Sequence, residues 1–171
     1  PLELHSMYSL GEGTLRPAEL AALSRAAGLR HLPLTDTNSF AGLVNHVQAA
    51  NAAGLKPLVG ARLVQGKTTA LLIARSMRGY ARLSRLITRI NMEEGFELAR
   101  ELLENPVEAC FTLTADRALL AARHPATFAA LDALRPGYGD TYRYARSLGL
   151  PSAVLSPVYF RDAGDFEAHR V

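Results

Sequence analysis

The 171-residue sequence has no tryptophan, one cysteine (Cys110) and only two lysines, Lys56 and Lys67. A single thiol permits no internal disulfide, which excludes the disulfide-stapled secreted domains and leads us to expect a reducing, cytoplasmic setting. No apolar run reaches the ~18 residues that cross a bilayer, and the chain opens without a charged-then-apolar leader, so no membrane partner is expected. Linker-like and low-complexity stretches are also missing, which leads to one domain over residues 1–171. With 49% hydrophobic and 20% charged residues the chain is long and apolar enough to bury a core, and disorder is excluded.

What is present is arginine. It supplies all but two of the nineteen basic side chains behind a net charge of +3. The planar guanidinium suits phosphate and carboxylate oxygens, but GC-rich coding is the plainer account of the bias, and charge alone does not establish nucleic-acid binding.

One pattern recurs along the chain. "RAAGLRHLPLTD", "NAAGLKPLVGARL" and "RSLGLPSAVLSP" each close a helix with Gly-Leu and open an apolar strand a few residues later. Gly28, Gly54 and Gly149 fit the position just past a helix, where a left-handed backbone is needed. Pro17 suits a first helical position with Glu19 in the first turn, and Leu20, Leu23 and Ala27 share a face. A second helix is expected from Asn38 or Ser39, carrying Phe40, Leu43, Val44 and Val47 inward and His46 outward. Strands are expected at 1–5, 31–36, 57–64, 69–74, 109–114 and 152–158, while "ATFAALDALRPG" reads equally as helix or strand. Alternating strands and helices predict an α/β fold with a mainly parallel sheet. Sites in such folds gather at the C-terminal ends of strands, which brings His5, Asp36, Thr37, Arg62, Asp116 and the Ser156–Tyr159 segment to one face.

The stretch "LELHSMYSLGEG", followed by "LTDT" and "KPLVGAR", resembles the opening of a PHP (polymerase and histidinol phosphatase) domain, above all that of bacterial C-family DNA polymerases, the polymerase III alpha subunit and its error-prone relatives. That family reads L-H-x-H-S-x-Y-S-x-L-D-G, then L-T-D-H, then K-P-I-x-G-x-E. Further along, "LLIARSMRGYARLSRLITRIN" and "GLPSAVLSPVYFRDAGDFEAHRV" resemble its later motifs, with His169 at the closing A-H. The resemblance implies a distorted (β/α)7 barrel, here shortened, at the N-terminus of a longer polymerase. It also implies partners: the remainder of that chain, DNA and a proofreading exonuclease.

The departures from the pattern bear on chemistry. Active PHP domains hold two or three metal ions through histidines and carboxylates. Here the first histidine of H-x-H is Glu3 and the second is His5. Asp36 survives, but Thr37, Arg62, Pro157 and Tyr159 stand where ligands are expected. Glu3, His5 and Asp36 supply too few donors for a cluster and at most a weak single divalent site. Arg62 adds a fixed positive charge, the counter-charge expected for Glu3 or Asp36. No cofactor and no catalytic residue are therefore assigned to the domain, and the site reads as a vestige.

Arg78, Arg82, Arg85 and Arg89 recur at helical spacing opposite Leu83, Leu86, Ile87 and Ile90. They read either as a docking stripe for nucleic acid or an acidic partner, or as a solvated helix face. "GEG" at 11–13 lacks the lysine and hydroxyl of a phosphate loop. The leading expectation is a structural PHP domain of a replicative or error-prone polymerase. The alternatives are a free-standing PHP-type metallophosphoesterase and a free-standing degenerate binding module.

Overall fold

The computed structural model describes residues 1–132, 136–162 and 164; His169 lies outside them. The elements are α1 (Pro17–Ala26), β1 (His31–Leu34), α2 (Leu43–Ala52), β2 (Lys56–Gln65), β3 (Thr68–Ala74), α3 (Met77–Met92), α4 (Leu98–Glu104), β4 (Cys110–Thr114), α5 (Arg117–Ala121), β5 (Thr127–Asp132), α6 (Tyr138–Ser147) and β6 (Ser152–Leu155). The strands form one six-stranded sheet in sequential order. Strand pairs β1–β2, β4–β5 and β5–β6 are parallel, as the alternating pattern requires. The exception is β3, antiparallel to both neighbours. Its link from β2 is a tight hairpin through Gly66 and Lys67, too short for the crossover that a parallel pair demands.

The first segment does not form the strand expected over 1–5. It makes one parallel bridge, Leu4 to Val158. On that side His5 N–H donates to Val158 O (2.9 Å) and Val158 N–H to Glu3 O (3.1 Å). On the other side Thr35 N–H donates to Leu4 O (3.0 Å), and Leu4 N–H donates to Thr35 Oγ1 (2.7 Å). Residues 3–5 thus join the chain beyond β6 to the chain beyond β1, and the sheet curls into a short, distorted barrel.

Period-two alternation decides what fills each side of the sheet. Leu71, Ile73, Leu113 and Leu155 face the interior. Their neighbours Ala70 and Leu72 face outward, with Ala61 and Leu63, against Leu83, Leu86 and Ile87 of α3 and Leu98 and Leu102 of α4. The same rule resolves "ATFAALD". Residues 127–132 alternate buried and half-buried, the signature of a strand covered on one face, with Ala129 and Leu131 packed on Ala145 of α6.

Helix ends follow local chemistry. Pro17 starts α1, and the Arg16 N–H is satisfied by Glu19 Oε2 at 2.9 Å. Gly28, Gly54 and Gly149 all take positive φ, as the repeated stop requires. Three helix-face expectations are corrected. Leu23 is 41% and Val44 68% exposed, whereas His46 is fully buried and its Nε2 lies 3.0 Å from Leu32 O. In α2, which starts at Leu43 and not at Asn38 or Ser39, the buried face runs through His46 and Ala50 and leaves Val44 outside. Asn38 instead pins β2, donating to Val64 O (2.7 Å) and accepting from Val64 N–H (2.9 Å).

Candidate functional site

The polar residues at the C-terminal mouth of the barrel meet because a loop doubles back over it. After His5, Ser9 N–H donates to Ser6 O, and Ser9 O accepts from Glu12 and Gly13 N–H. Gly13 is obligatory here, since a Cβ would lie 2.1 Å from Ser6 O. That close approach swings Glu12 back over His5.

The resulting network is dense and largely buried. His5 Nε2 lies 3.2 Å from Glu3 Oε1, and Nδ1 lies 3.1 Å from Ser9 Oγ and 3.5 Å from Glu12 Oε2. Tyr159 stacks on the imidazole, with ring centroids 4.6 Å apart. Arg62, on β2, places Nη1 2.9 Å from Glu12 Oε1 and Nε 3.6 Å from Glu3 Oε1. Its guanidinium therefore bridges two carboxylates. Ser9 Oγ and Thr37 Oγ1 both donate to Glu12 Oε2. Burial alone would push the Glu12 carboxyl up, but the Thr37 and Ser9 hydrogen bonds, then the charges of Arg62 and His5, hold it below its ordinary range.

Asp36 is arranged differently. Its side chain meets the Ser6 N–H at Oδ1 (2.6 Å) and the Ser6 hydroxyl at Oδ2 (2.7 Å). Burial outweighs those two hydrogen bonds and raises its pKa. Of the two carboxylates expected to meet Arg62, Glu3 does so, while Asp36 is held by Ser6. The second partner, Glu12, went unremarked in the sequence. The signal for it was there, since Glu12 stands at the Asp of the L-D-G motif quoted above.

Beside this network lies a cavity of about 300 Å³, lined by Glu3, Arg62, Lys67, Thr69, Asp116 and Asp132 over a floor of leucines and alanine. Asp116 thus reaches the expected face. Its side chain is engaged as the cap of α5, accepting from Ala118 N–H at 2.8 Å. Pro157 and Tyr159 also reach the mouth, the proline half-buried and the tyrosine against His5.

The donor set does not suit a divalent ion. Among the described residues, no group of three or more His, Cys, Asp or Glu side chains is arranged to hold one. Where Glu3, His5 and Glu12 do converge, a guanidinium already contacts both carboxylates. A unit charge at ~4 Å opposes each positive charge of an incoming ion by about 4 kcal/mol at an effective dielectric of 20.

The arginines of α3 divide into two kinds. Arg82 and Arg89 both hold Glu101 of α4, Arg89 through Nη1 at 2.8 Å, and Arg89 also pairs with Glu93. Arg78 and Arg85 are exposed and have no carboxylate partner among the described residues.

The curled, mainly parallel sheet with a polar mouth at the strand C-termini is a shortened, barrel-like α/β fold. The PHP domain model matches residues 1–146, and the chain belongs to that family. It is 28% identical to the DNA polymerase III subunit alpha of Escherichia coli K12 over 99% of this chain and 18% of that protein. It is 37% identical to the error-prone DNA polymerase of Symbiobacterium thermophilum over 53% of this chain and 8% of that protein. The error-prone DNA polymerase of Anaeromyxobacter sp. strain K is also 37% identical, over 63% and 10%. The chain therefore spans less than a fifth of the length of these curated relatives. Among solved structures, an amidohydrolase from Chromobacterium violaceum with bound sulfate and no metal shares the fold, with a TM-score of 0.61 at 14% identity over 94% of this chain and 87% of that one. No helix of the described residues is long and apolar enough to cross a membrane.

Proposed function

We propose that this chain is the N-terminal PHP domain of a bacterial C-family DNA polymerase, replicative or error-prone, acting in the cytoplasm as a structural and docking module. Its metal-dependent phosphoesterase chemistry is lost, and nucleotide transfer belongs to a part of the polymerase outside these residues. Glu3, His5 and Asp36 are the vestige of the metal site, with Thr37, Arg62, Pro157 and Tyr159 at former ligand positions. The observation that carries this reading is the Arg62 guanidinium seated between Glu3 and Glu12. A fixed cation there neutralises the carboxylates that an ion would otherwise serve, and it cannot polarise a phosphoryl oxygen as an ion does. Homology to segments of much longer polymerases supports the remainder of such a chain as the first partner. Arg78 and Arg85 are the side chains best placed to meet DNA or the acidic surface of a proofreading exonuclease.

Two measurements test the reading. The native mass of the protein, detected with an antibody against this domain, should lie far above 18.5 kDa. The purified domain should neither retain manganese or zinc after dialysis nor hydrolyse bis-p-nitrophenyl phosphate. Stoichiometric metal together with chelator-sensitive hydrolysis would overturn the loss of activity. A native band at 18.5 kDa would overturn the polymerase assignment.

A further inference from the structure

The helix α6 presents a surface whose chemistry differs from that of the mouth. It reads YGDTYRYARS, so ten residues hold three of the chain's six tyrosines together with two arginines. Its inward side is narrow. Ala145 is buried there, and Tyr144 and Leu148 pack with it against Leu120, Ala129 and Leu131. The opposite side faces solvent, with Tyr138 51% and Tyr142 45% exposed. Among the described residues Phe111 is the one other exposed aromatic ring. Arg143 and Arg146 are exposed as well, and Arg143 pairs with Asp140. Alongside, Arg117 of α5 lies over the Tyr144 ring, 5.0 Å from its centroid.

Spacing and composition together select a ligand. Tyr138, Tyr142 and Arg146 stand at i, i+4 and i+8, along one stripe of the helix. Four residues rise about 6 Å, close to two steps of about 3.4 Å per nucleotide. Bases of a single strand can therefore lie on successive rings without a stretched backbone, and Arg146, one turn further on, meets a phosphate. Bases stacked inside a duplex offer no free face to a tyrosine, so the rings favour unpaired strands. The charged side chains of α6 are Arg143, Arg146 and Asp140, a positive balance that suits phosphates. A protein partner would call for aliphatic anchors in the centre of the patch. Every exposed leucine, valine and methionine among the described residues lies on another part of the chain.

We infer that the outer face of α6 docks single-stranded DNA, with Tyr138 and Tyr142 as base-stacking platforms and Arg146 as a phosphate contact. The inference rests on the polymerase reading above for the presence of such a strand. It concerns a face separate from the arginines of α3, which carry no exposed ring beside them and could not tell one strand from two.

The test titrates the 171-residue chain into a fluorescein-labelled oligo-dT of about twelve nucleotides, and into a hairpin duplex, at low salt. Anisotropy should report saturable binding of oligo-dT, at least about fivefold tighter than the duplex. Tyr138→Ala and Tyr142→Ala should each weaken oligo-dT binding roughly tenfold and leave duplex binding unchanged. Tyr142→Phe keeps the ring and should hold oligo-dT binding within about twofold of the parent. Arg146→Gln should lower the slope of log K against log salt by about 0.7, the share of one phosphate on a single strand. All these side chains are exposed, so circular dichroism of every variant should match the parent. Absence of saturable oligo-dT binding, or binding untouched by both tyrosine-to-alanine changes, would overturn the assignment. So would a self-association in sedimentation that Tyr142→Ala dissolves, because the face would then belong to a protein contact. Native mass tests the polymerase reading separately: ring-dependent binding of oligo-dT keeps the face at any mass, and its failure sinks the face at any mass.

Discussion

Replacing Arg62 with methionine keeps the aliphatic stem and removes the guanidinium. Glu3, with a side chain only 7% exposed, would be left with the His5 ring nitrogen as its near partner. Glu12, 29% exposed, would keep its Ser9 and Thr37 hydroxyls and the nearby His5 ring but lose the Arg62 guanidinium. Removing one partner of a buried ion pair costs about 3–5 kcal/mol. Glu12 is partly solvated, so the lower end applies, roughly 3 kcal/mol. For a domain of this size each kcal/mol moves Tm by about 2–4 °C, so a fall of about 6–12 °C is expected in scanning calorimetry. The source can be isolated. Adding Glu3→Gln to Arg62→Met removes the stranded buried charge and should recover part of the loss. A double-mutant cycle between Arg62→Met and Glu12→Gln should show coupling above about 0.5 kcal/mol. A fall below about 2 °C, or strict additivity in the cycle, would refute the idea that Arg62 holds the mouth together.

If no ion serves the site, EDTA should leave the wild-type Tm unchanged within about 1 °C, and zinc or manganese should not raise it; a chelator-induced fall of several degrees would sink the metal-free reading. Gly79→Ala should cost about 2 kcal/mol or more in urea unfolding, because its Cβ would lie 2.3 Å from Ala109 O where α3 meets β4. Glu12 and Glu101 both have lowered pKa values in the folded protein, so their stabilisation is complete above the ordinary glutamate value of about 4.3 and is lost as pH falls below it. Arg62→Met should flatten the Glu12 share of that acid limb in a pH series of urea midpoints. Asp36 has the opposite sign, because burial of its charge costs stability at neutral pH. Asp36→Asn should therefore be milder than Asp36→Ala, which strands the buried Ser6 N–H at a cost of about 1–3 kcal/mol.

The fold was readable where local chemistry and tertiary demand agree. The helix-Gly-Leu-strand repeat placed three helix stops and the strands that follow them, because only glycine takes positive φ freely at those positions. It failed where contacts distant in sequence decide. The amide of Asn38 resembles a helix cap in sequence, yet its partner is Val64, twenty-six residues away. His46 appears polar and outward, but it lies on the buried face of α2, under β1. In the site, His5 and Asp36 were legible from the motifs they match, and Glu3 and Arg62 from the motifs they interrupt. Glu12 was marked by its place in the L-D-G motif, but its pairing with Arg62 depends on a loop whose path is fixed by Gly13 lying against Ser6. The α3 stripe was half legible, since its spacing showed a common face but not that Glu101 would take two of its members.

The placement of the mouth residues explains why so polar a cluster persists without an assigned reaction. These side chains come from five different pieces of the barrel. Glu3 and His5 sit on the closing segment, Glu12 on the loop over the mouth, Thr37 just past β1, Arg62 on β2 and Tyr159 beyond β6. The closing segment makes only one bridge to Val158, a weak seam for a barrel. Arg62 reaches from β2 to that segment and to the loop, while Tyr159 stacks on His5 from the far edge. The network thus ties together the pieces that backbone pairing leaves loosely joined. Such a network tolerates little change, because removing one buried member leaves its partners unsatisfied. The barrel's closure would need these residues whether or not the site carries out a reaction. The same reasoning makes Arg62 a replacement for a tie between loops as much as for a charge.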